Sequence, residues 1–181
     1  MNNCPTYIDL FSGAGGLSEG FIRAGFKGIA HVEADASACA TLETRLSYWH
    51  LRNEDRLLEY RRYLAGEITR NEFIAKIPTY VLDPVIHAEI STKTFSSIYR
   101  RIEKQNITPQ VDVLIGGPPC QAYSLVGRSR DPDRMQGDPR NYLFRSYARF
   151  LRRYQPKFFV FENVLGLLTA GNRSYLEEML R

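Results

Sequence analysis

A cysteine and a glutamate each follow directly on an apolar run of the sequence. Cys120 comes after Gly-Gly-Pro-Pro at 116–119, behind the apolar run at 111–115. Glu162 comes directly after the apolar run at 157–161. The thiolate of a cysteine can form a covalent intermediate, although an isolated cysteine is more often a small buried hydrophobe. Polar and glycine-rich surroundings favour a nucleophile at Cys120, whereas Glu162 by itself is typical of a surface carboxylate at a strand end.

A glycine-rich turn, Ser12-Gly-Ala-Gly-Gly16, follows the first apolar run of the chain. Glycines in this place let the backbone turn sharply and approach a ligand closely, and the helix that follows offers free N–H groups. Glu33 ends the second apolar run, where a carboxylate can accept hydrogen bonds from both hydroxyl groups of a ribose. These residues favour a nucleoside cofactor over a purely structural turn. The sequence GxGxxG does not occur in register, which counts against NAD and FAD.

The elements that must position these residues alternate between strand and helix. Short apolar runs predict strands, and apolar residues at helical spacing predict helices. Such alternation implies a mostly parallel sheet with helices on both faces, a Rossmann-like α/β fold whose ligands bind at the carboxyl ends of the strands. We predict strands at 6–11, 29–33, 111–115 and 157–161, and helices at 17–24, 36–46 and 142–154.

Residues 47–84 depart from this alternation. Arg, Glu, Leu and Tyr are frequent between 51 and 65, a break follows at 66–69, and residues 71–77 again have helical spacing. This pattern predicts a helical insertion between the second and third strands. The insertion either carries contacts to a partner or substrate, or is a surface hairpin without a binding role.

The composition excludes several classes of protein. The chain has 181 residues, which suits one α/β domain, and no apolar run approaches the ~20 residues of a membrane span. Its first residues lack the basic and apolar regions of a secretory signal. Cys4, Cys39 and Cys120 show no paired spacing, so we expect reduced thiols in a cytosol-like compartment.

The distribution of charge indicates a polyanionic partner more clearly than the total does. The net charge is +4, which is compatible with binding to nucleic acid but does not require it. Arginines cluster after the cysteine motif, where they favour contacts to phosphate, although each alone is typical of a solvated surface. The cluster consists of Arg128, Arg130, Arg134, Arg140, Arg145, Arg149, Arg152 and Arg153.

In their order and sequence, these motifs resemble those of the C5-cytosine DNA methyltransferase family, bacterial type. Residues 9–16 are similar to the family's first motif, and residues 116–121 with Ser124 are similar to its catalytic Pro-Cys motif. Residues 162–164 are similar to its Glu-Asn-Val motif, and residues 138–143 to the segment between the last two. The resemblance covers most of the chain apart from the predicted insertion.

The resemblance implies that a methyl group passes from S-adenosylmethionine, leaving S-adenosylhomocysteine, to C5 of a cytosine flipped out of double-stranded DNA, without a metal. It implies that the thiolate of Cys120 adds to C6 of the ring, and that Glu162 binds the ring nitrogen N3 and the amino group. The residues implied to contact the cofactor are Phe11, Ser12, Gly13, Gly15, Gly16, Glu33, Ala34, Glu89, Ile90, Pro118 and Leu143. Those implied to contact the substrate are Pro119, Gln121, Ser124, Arg128, Arg140, Asn163 and Val164.

Two of these assignments depart from the family's usual pattern. Ala34 stands where the family often has a larger apolar residue, so we expect thinner packing against the adenine. The acid that contacts the adenine amino group is assigned to Glu89, because a strand there would be followed by a helix and then by the strand before Cys120. Glu67, in the similar sequence Gly-Glu-Ile-Thr, is the alternative, and either choice puts a glutamate where the family usually has an aspartate.

Segments that the family carries after Glu-Asn-Val do not follow in this sequence. They include the target-recognition region and a Gln-x-Arg-x-Arg motif. We therefore expect residues 1–181 to be the N-terminal part of a catalytic methyltransferase domain that is inactive alone. Two forms fit this expectation, a truncated enzyme and one subunit of a split enzyme with a complementary C-terminal subunit.

Three other functions share part of these features. A tRNA cytosine-5 methyltransferase uses the same motifs, but Gln-Ala-Tyr-Ser at 121–124 is similar to the DNA-modifying type. A catalytically silent S-adenosylmethionine-binding domain would not need an intact Cys120 and Glu162, and a generic Rossmann-like oxidoreductase would carry a dinucleotide motif. We expect a prokaryotic, cytoplasmic, DNA-associated DNA (cytosine-5-)-methyltransferase of a restriction–modification system, without membrane contact.

Overall fold

Parallel strand pairing organises the chain. The computed structural model describes residues 4–105, 111–119, 142–165 and 177–178. Its strands are β1 Thr6–Leu10, β2 Lys27–Glu33, β3 Val85–His87, β4 Val113–Gly116 and β5 Phe158–Phe161. They form one sheet in the order β3-β2-β1-β4-β5, and every neighbouring pair is parallel. The connections reverse direction between β1 and β4, and ligands of open α/β sheets bind at such a switch point.

Helices cover both faces of this sheet. In the described part of the chain they are α1 Gly16–Arg23, α2 Ala36–Asn53, α3 Leu58–Leu64, α4 Arg70–Ile74, α5 Thr79–Leu82, α6 Phe95–Glu103 and α7 Leu143–Tyr154. None of them combines the length and the apolarity that a membrane crossing requires.

The hydrophobic core lies between the helices and the two faces of the sheet. α6 and α7 pack on one face, where Phe95, Ile98 and Phe150 join the buried strand residues Ile8 and Leu114 in one cluster. α1 packs on the other face, against a cluster of Tyr7, Val113 and Ile115. Strands that are buried on both faces read as continuous apolar runs, which is the pattern of β1 and β4. The predicted Rossmann-like parallel architecture is confirmed.

β5 forms one edge of the sheet and leaves large apolar side chains exposed. Phe158 is 70% exposed and Phe159 is 59% exposed, and Val160 is also exposed. Because consecutive residues of a strand point to opposite faces, apolar surface is present on both sides of this edge strand.

The second helix is longer than the sequence pattern predicts, and it supports a separate group of short helices. α2 begins after Asp35, whose carboxylate accepts a hydrogen bond from the N–H of Ala38 at 2.7 Å, and it continues through Asn53 instead of ending near residue 46. The three helices α3, α4 and α5 form a small apolar cluster with its end, centred on Leu51 and Phe73.

The insertion helices, α3 to α5, connect α2 with β3. The last of them, α5, ends three residues before β3 begins, so this end of the insertion lies at the amino ends of the parallel strands. Arg70, at the start of α4, instead contacts the first half of α2, through the Ala40 carbonyl oxygen at 3.2 Å and the Glu43 carboxylate. The two roles considered for the insertion therefore both stay predictions.

At the amino ends of the strands, Asp112 joins three of them. Its Oδ2 accepts hydrogen bonds from the backbone N–H of Thr6 at 2.8 Å and from the Thr6 hydroxyl at 3.1 Å. Its Oδ1 accepts a hydrogen bond from Nζ of Lys157 at 2.6 Å. The bonds from Lys157 and from the Thr6 backbone hold the pKa of the Asp112 carboxyl below its ordinary value. One carboxylate thus ties the starts of β1, β4 and β5 together.

Replacing Asp112 by asparagine should lower the free energy of unfolding by about 1–2 kcal/mol at neutral pH, because donors at the strand ends lose a charged acceptor. The folded pKa lies below the unfolded one, so this contribution is complete above the ordinary value near pH 4 and is lost as the pH falls through the lowered folded value. Urea unfolding of both proteins at several pH values measures it. The difference in free energy of unfolding between the two proteins should shrink in acid. Asp83→Asn serves as the control, because it removes an exposed carboxylate at the end of α5.

Candidate active site

A pocket lies at the switch point between β1 and β4. Its volume is about 340 Å³, which falls within the range typical of small-molecule sites. The residues that line it come from the carboxyl ends of β1, β4 and β5 and from the start of α1. They are Asp9, Phe11, Ser12, Leu17, Gly116, Gly117 and Glu162.

The turn between β1 and α1 has the tight backbone that its glycines predict. Gly13 and Gly15 have φ angles of 53° and 83°, and Phe11 has a φ angle of 57°. A left-handed conformation is uncommon for a residue other than glycine, and such residues cluster at ligand sites. The turn also packs closely on α2, since a Cβ added to Gly15 would lie 2.6 Å from Cδ2 of Leu42. The glycines therefore serve both the turn and the close approach of the backbone.

Glu33 is fixed by backbone N–H groups at the end of β2. Its Oε2 accepts a hydrogen bond from Gly13 at 2.7 Å, and its Oε1 accepts bonds from Ala34 and Asp35 at 2.8 Å each. A carboxylate has about four acceptor positions, so these bonds leave about one of them for a ligand. The predicted hold on both hydroxyls of a ribose would require one of the three bonds to open.

The ends of β4 and β5 approach each other without room for extra atoms. The N–H of Glu162 donates a hydrogen bond to the carbonyl oxygen of Gly116 at 3.0 Å. A Cβ added to Gly117 would lie 2.4 Å from the Glu162 carbonyl oxygen and 2.6 Å from its Oε2. This contact places the Glu162 carboxylate beside the segment that leads through Pro118 and Pro119 to residue 120. Pro118 is buried and Pro119 is exposed.

The structure brings some of the predicted cofactor residues to this pocket and places others around it. Phe11 and Ser12 line the pocket, and Gly16 begins α1. Glu89 is exposed two residues after β3, at the ligand edge of the sheet. Glu67, the alternative to Glu89, pairs with Arg62 among the insertion helices at 3.1 Å.

The remaining predicted residues occupy varied surroundings. Ile90 is only 4% exposed and packs in the main core, and Leu143 is half-buried at the first position of α7. Ala34 is exposed and its carbonyl oxygen contacts Nε2 of His87 at 2.9 Å. Asn163 accepts a hydrogen bond from the N–H of Val164 at 2.8 Å, and both are half-buried. Cys120, Gln121, Ser124, Arg128 and Arg140 lie outside the described residues.

Sequence reasoning did not assign a role to three buried polar residues beside the pocket. Asp9, which lines the pocket, is 1% exposed, and its Oδ2 accepts a hydrogen bond from the Ser18 hydroxyl at 2.5 Å. The same hydroxyl lies 3.0 Å from Nδ1 of His31, which is fully buried on β2. The signal available in the sequence was a polar residue inside each of two apolar strands, Asp9 and His31, whereas Ser18 stands beside Glu19 in a helix and carries no such signal.

Known proteins of one family are similar to this chain. The family model described as C-5 cytosine-specific DNA methylase matches residues 6–68 and 87–181. Type II methyltransferase M.Bpa9945I of Bacillus paralicheniformis is 44% identical over 95% of the chain and 43% of its own length. Type II methyltransferase M1.HphI of Haemophilus parahaemolyticus is 37% identical over 92% of the chain and 34% of its own length.

A solved structure gives the same relationship. It is described as a DNA modification methyltransferase encoded within an E. coli prophage, and it has a TM-score of 0.58 and 26% sequence identity to the chain. The similarity covers 97% of this chain and 36% of that one. The chain thus spans less than half the length of the proteins compared here. Because the family model matches most of its residues, the chain belongs to the C-5 cytosine-specific DNA methylase family.

Proposed function

We propose that this chain is the cofactor-binding and catalytic part of an enzyme that transfers a methyl group from S-adenosylmethionine to C5 of cytosine in DNA. One observation carries the proposal. Phe11 and Ser12, assigned to the cofactor, line the same pocket as Glu162, assigned to the cytosine. Two motifs that are far apart in the sequence therefore meet at one site, where a methyl donor and its acceptor must meet.

The chemistry around the pocket supports binding of S-adenosylmethionine. The left-handed turn at Phe11 and Gly13 brings the backbone close to the pocket, and the N-terminus of α1 offers free N–H groups for a carboxylate. Glu33 stands at the end of β2, where it can hold a ribose hydroxyl. Glu89 lies at the same edge of the sheet, which supports its assignment to the adenine over Glu67.

The proposed chemistry assigns separate tasks to two residues of the chain. S-adenosylmethionine, when bound, supplies an electrophilic methyl group on a sulfonium. The thiolate of Cys120 adds to C6 of cytosine, which raises the electron density at C5 so that C5 can form the new carbon–carbon bond. Glu162 donates and accepts hydrogen bonds at N3 and the amino group while charge moves onto the ring. Loss of the C5 proton and release of the thiolate restore the aromatic ring.

Among the other cysteines, Cys39 is a poor candidate for the nucleophile. Burial, followed by the neighbouring Glu33 carboxylate, raises the pKa of its thiol, and the thiolate is the reactive form. Cys4 lies before β1, at the opposite edge of the sheet from the pocket, where its thiol donates a hydrogen bond to the carbonyl oxygen of Gly25 at 2.7 Å. Cys120 follows the segment that contacts Glu162, so it is the cysteine proposed to react.

The substrate and the setting are also part of the proposal. A cytosine inside duplex DNA cannot reach the pocket, so the base is flipped out at a cost of about a few kcal/mol. Arg128 and Arg140 are proposed to contact the phosphate backbone. Since the curated relatives are type II methyltransferases, we place the enzyme in a cytoplasmic restriction–modification system. The two curated relatives named above are more than twice as long as the chain. We therefore propose that the active enzyme contains further polypeptide, either in the same chain or as a complementary subunit.

Covalent trapping tests this function. A DNA duplex that contains 5-fluorocytosine is incubated with S-adenosylmethionine and a form of the enzyme as long as its curated relatives. Because fluorine at C5 cannot leave as a proton does, the adduct with the cysteine persists. We expect a complex that survives denaturation with the unchanged protein and with Cys4→Ser, and none with Cys120→Ser.

Other outcomes of the trapping experiment would overturn parts of the proposal. A stable complex with Cys120→Ser would remove Cys120 as the nucleophile. If no variant formed a complex while S-adenosylmethionine still bound, the DNA substrate would be wrong. The same trapping with 5-fluorocytosine in tRNA would then show whether RNA is methylated instead or the domain is catalytically silent.

A further inference from the structure

One tyrosine of α7 reaches both of the strands that end at the proposed catalytic motifs. The hydroxyl of Tyr147 lies 2.9 Å from the carbonyl oxygen of Leu114 on β4 and 3.2 Å from the carbonyl oxygen of Val160 on β5. The residue is only 2% exposed. A single carbonyl group would satisfy a buried hydroxyl. The hydroxyl of Tyr147 is instead shared between two neighbouring strands.

The two carbonyl groups stand at matching places in β4 and β5. Leu114 precedes Gly116 by two residues, and Val160 precedes Glu162 by two residues. Gly116 and Glu162 are joined by the backbone hydrogen bond of 3.0 Å that closes the ends of these strands. The hydroxyl of Tyr147 therefore bridges the strands just before the point at which the chain leaves the sheet.

The ring of Tyr147 makes a second contact with β5. It packs edge to face on Phe161, with ring centres 5.1 Å apart and an angle of 85° between the ring planes. Phe161 directly precedes Glu162 and is half-buried, whereas residues 158–160 are exposed. Among the described residues, the side-chain packing of β5 thus comes mainly from Phe161, and Tyr147 is in contact with it.

The phenol of Tyr147 is a donor that keeps its hydrogen. Burial is the largest of the causes that raise its pKa above the ordinary value of about 10. Since a carbonyl oxygen can only accept, the hydroxyl is the donor in both contacts. Replacing Tyr147 by phenylalanine therefore removes this donor and keeps the ring that packs on Phe161.

The proposed reaction depends on the spacing of the two strand ends. Cys120 has to reach C6 of the cytosine while Glu162 binds N3 and the amino group of the same ring. The chain leads from β4 through Pro118 and Pro119 to Cys120, and β5 ends directly before Glu162. A displacement of one strand end therefore moves the carboxylate relative to the nucleophile, and a misplacement of about 1 Å can slow an enzyme ~10²-fold.

We propose that Tyr147 is a positioning residue for the methyl transfer. Its hydroxyl holds the ends of β4 and β5 together, so that Glu162 and Cys120 engage the same cytosine. This inference rests on the proposed function. It gives Tyr147 no contact with the substrate or the cofactor, so the residue acts only through the strands that it bridges.

The test measures single turnovers of a form of the enzyme as long as its curated relatives, saturated with S-adenosylmethionine and a DNA duplex that contains 5-fluorocytosine. The rate constant of covalent-complex formation reports the geometry of the site, whereas the amplitude reports the fraction of competent enzyme. We expect Tyr147→Phe to lower the rate constant by on the order of tenfold. The dissociation constant of S-adenosylmethionine, from titration calorimetry, should change by less than about twofold.

Two further variants separate positioning from a loss of stability. Tyr154→Phe removes a hydroxyl of the same helix that forms no hydrogen bond to β4 or β5 in the described part of the chain, and it should leave the rate constant unchanged. Tyr147→p-aminophenylalanine places an N–H donor where the hydroxyl stood, so it should recover most of the rate that Tyr147→Phe loses.

A double-mutant cycle tests whether Tyr147 acts through Glu162. Residues that act on one another give effects that are not additive. In an enzyme that already carries Glu162→Gln, adding Tyr147→Phe should therefore slow complex formation by less than about threefold, because the carboxylate whose position is at stake is already gone. An equal loss of rate in both backgrounds would refute action through Glu162.

The outcomes distinguish this inference from the function on which it rests. If the unchanged enzyme formed no covalent complex, the proposed function itself would fail, and this inference with it. If the complex formed and Tyr147→Phe left the rate constant unchanged, the positioning role would be refuted while the function stood. A lower amplitude at an unchanged rate constant would also refute it, since Tyr147 would then contribute to stability alone.

Discussion

Replacing Glu162 by glutamine should slow methyl transfer to DNA by about 10²–10⁴-fold. The backbone of Glu162 is held by its hydrogen bond to Gly116, and its carboxylate lies against Gly117 at the wall of the pocket. Glutamine keeps the size of the side chain and this backbone bond, so the pocket should retain its shape. What the substitution removes is the negative charge and the capacity to exchange a proton with N3 of the ring.

The measurement is a single-turnover rate on a DNA duplex, made with a form of the enzyme as long as its curated relatives. Glu103→Gln is the matched control, because Glu103 is an exposed carboxylate that pairs with Arg153 on the outer surface of α6 and α7. Binding of S-adenosylmethionine should stay within about threefold in both variants, less than about 0.7 kcal/mol, because Glu162 is assigned to the cytosine and not to the cofactor. A Glu162→Gln enzyme as fast as the control would exclude Glu162 from the chemistry.

Replacing Gly116 by alanine should destabilise the chain by more than about 3 kcal/mol, the largest effect that we expect of a single added methyl group. Gly116 has a φ angle of 141°, which side-chain-bearing residues rarely adopt. Its added Cβ would lie 2.0 Å from the carbonyl oxygen of Leu10, the residue paired with it in the neighbouring strand. Neither strand can move aside, because both are in the centre of the sheet.

Urea unfolding of the full chain measures the loss, with the soluble yield as a second readout if the variant does not fold. Gly20→Ala is the control within α1, where an added Cβ meets no atom within 4 Å. Alanine is the better helix former, so this control should be neutral or stabilising by about 0.5–1 kcal/mol. If the free energy of unfolding of Gly116→Ala lay within about 1 kcal/mol of that of the unchanged chain, the close packing of β1 against β4 would be wrong.

The elements that carry the site could be predicted from the sequence because each strand is a short apolar run followed by residues with a distinct chemistry. The glycine turn after β1 and the Gly-Gly-Pro-Pro segment after β4 mark the points where the chain leaves the sheet. Residues at the carboxyl ends of parallel strands share one edge, so Phe11 and Glu162 could be expected to meet. Their meeting in one pocket depends on β1, β4 and β5 being neighbours.

The length of α2 could not be predicted from the spacing of apolar residues. No glycine or proline ends the helix near residue 46, and the chain continues with Ser47, Tyr48 and Trp49 to Asn53. Its stability depends on contacts with the insertion helices, which are far along the chain from residue 36. Local spacing contains no information about these tertiary contacts, and helices in proteins owe most of their stability to such packing.

The buried chain of Asp9, Ser18 and His31 could not be predicted for a related reason. Asp9 and His31 become neighbours only through the register of β1 and β2, which shifts between Tyr7 and Ile8. A histidine inside an apolar strand is visible in the sequence, but its partner is fixed by strand pairing. Register is a property of the assembled sheet and cannot be read from either strand alone.

The open edge at β5 has a consequence for how this chain behaves at high concentration. An edge strand offers unpaired backbone N–H and C=O groups, and here the exposed side chains of Phe158 and Phe159 lie on its two faces. Among the described residues no strand pairs with the outer side of β5, and Pro156 and Lys157 protect only its start, because Phe158 to Phe161 contain neither charge nor proline. Unless another segment of polypeptide covers this edge, we therefore expect two copies to associate through β5 as the concentration rises.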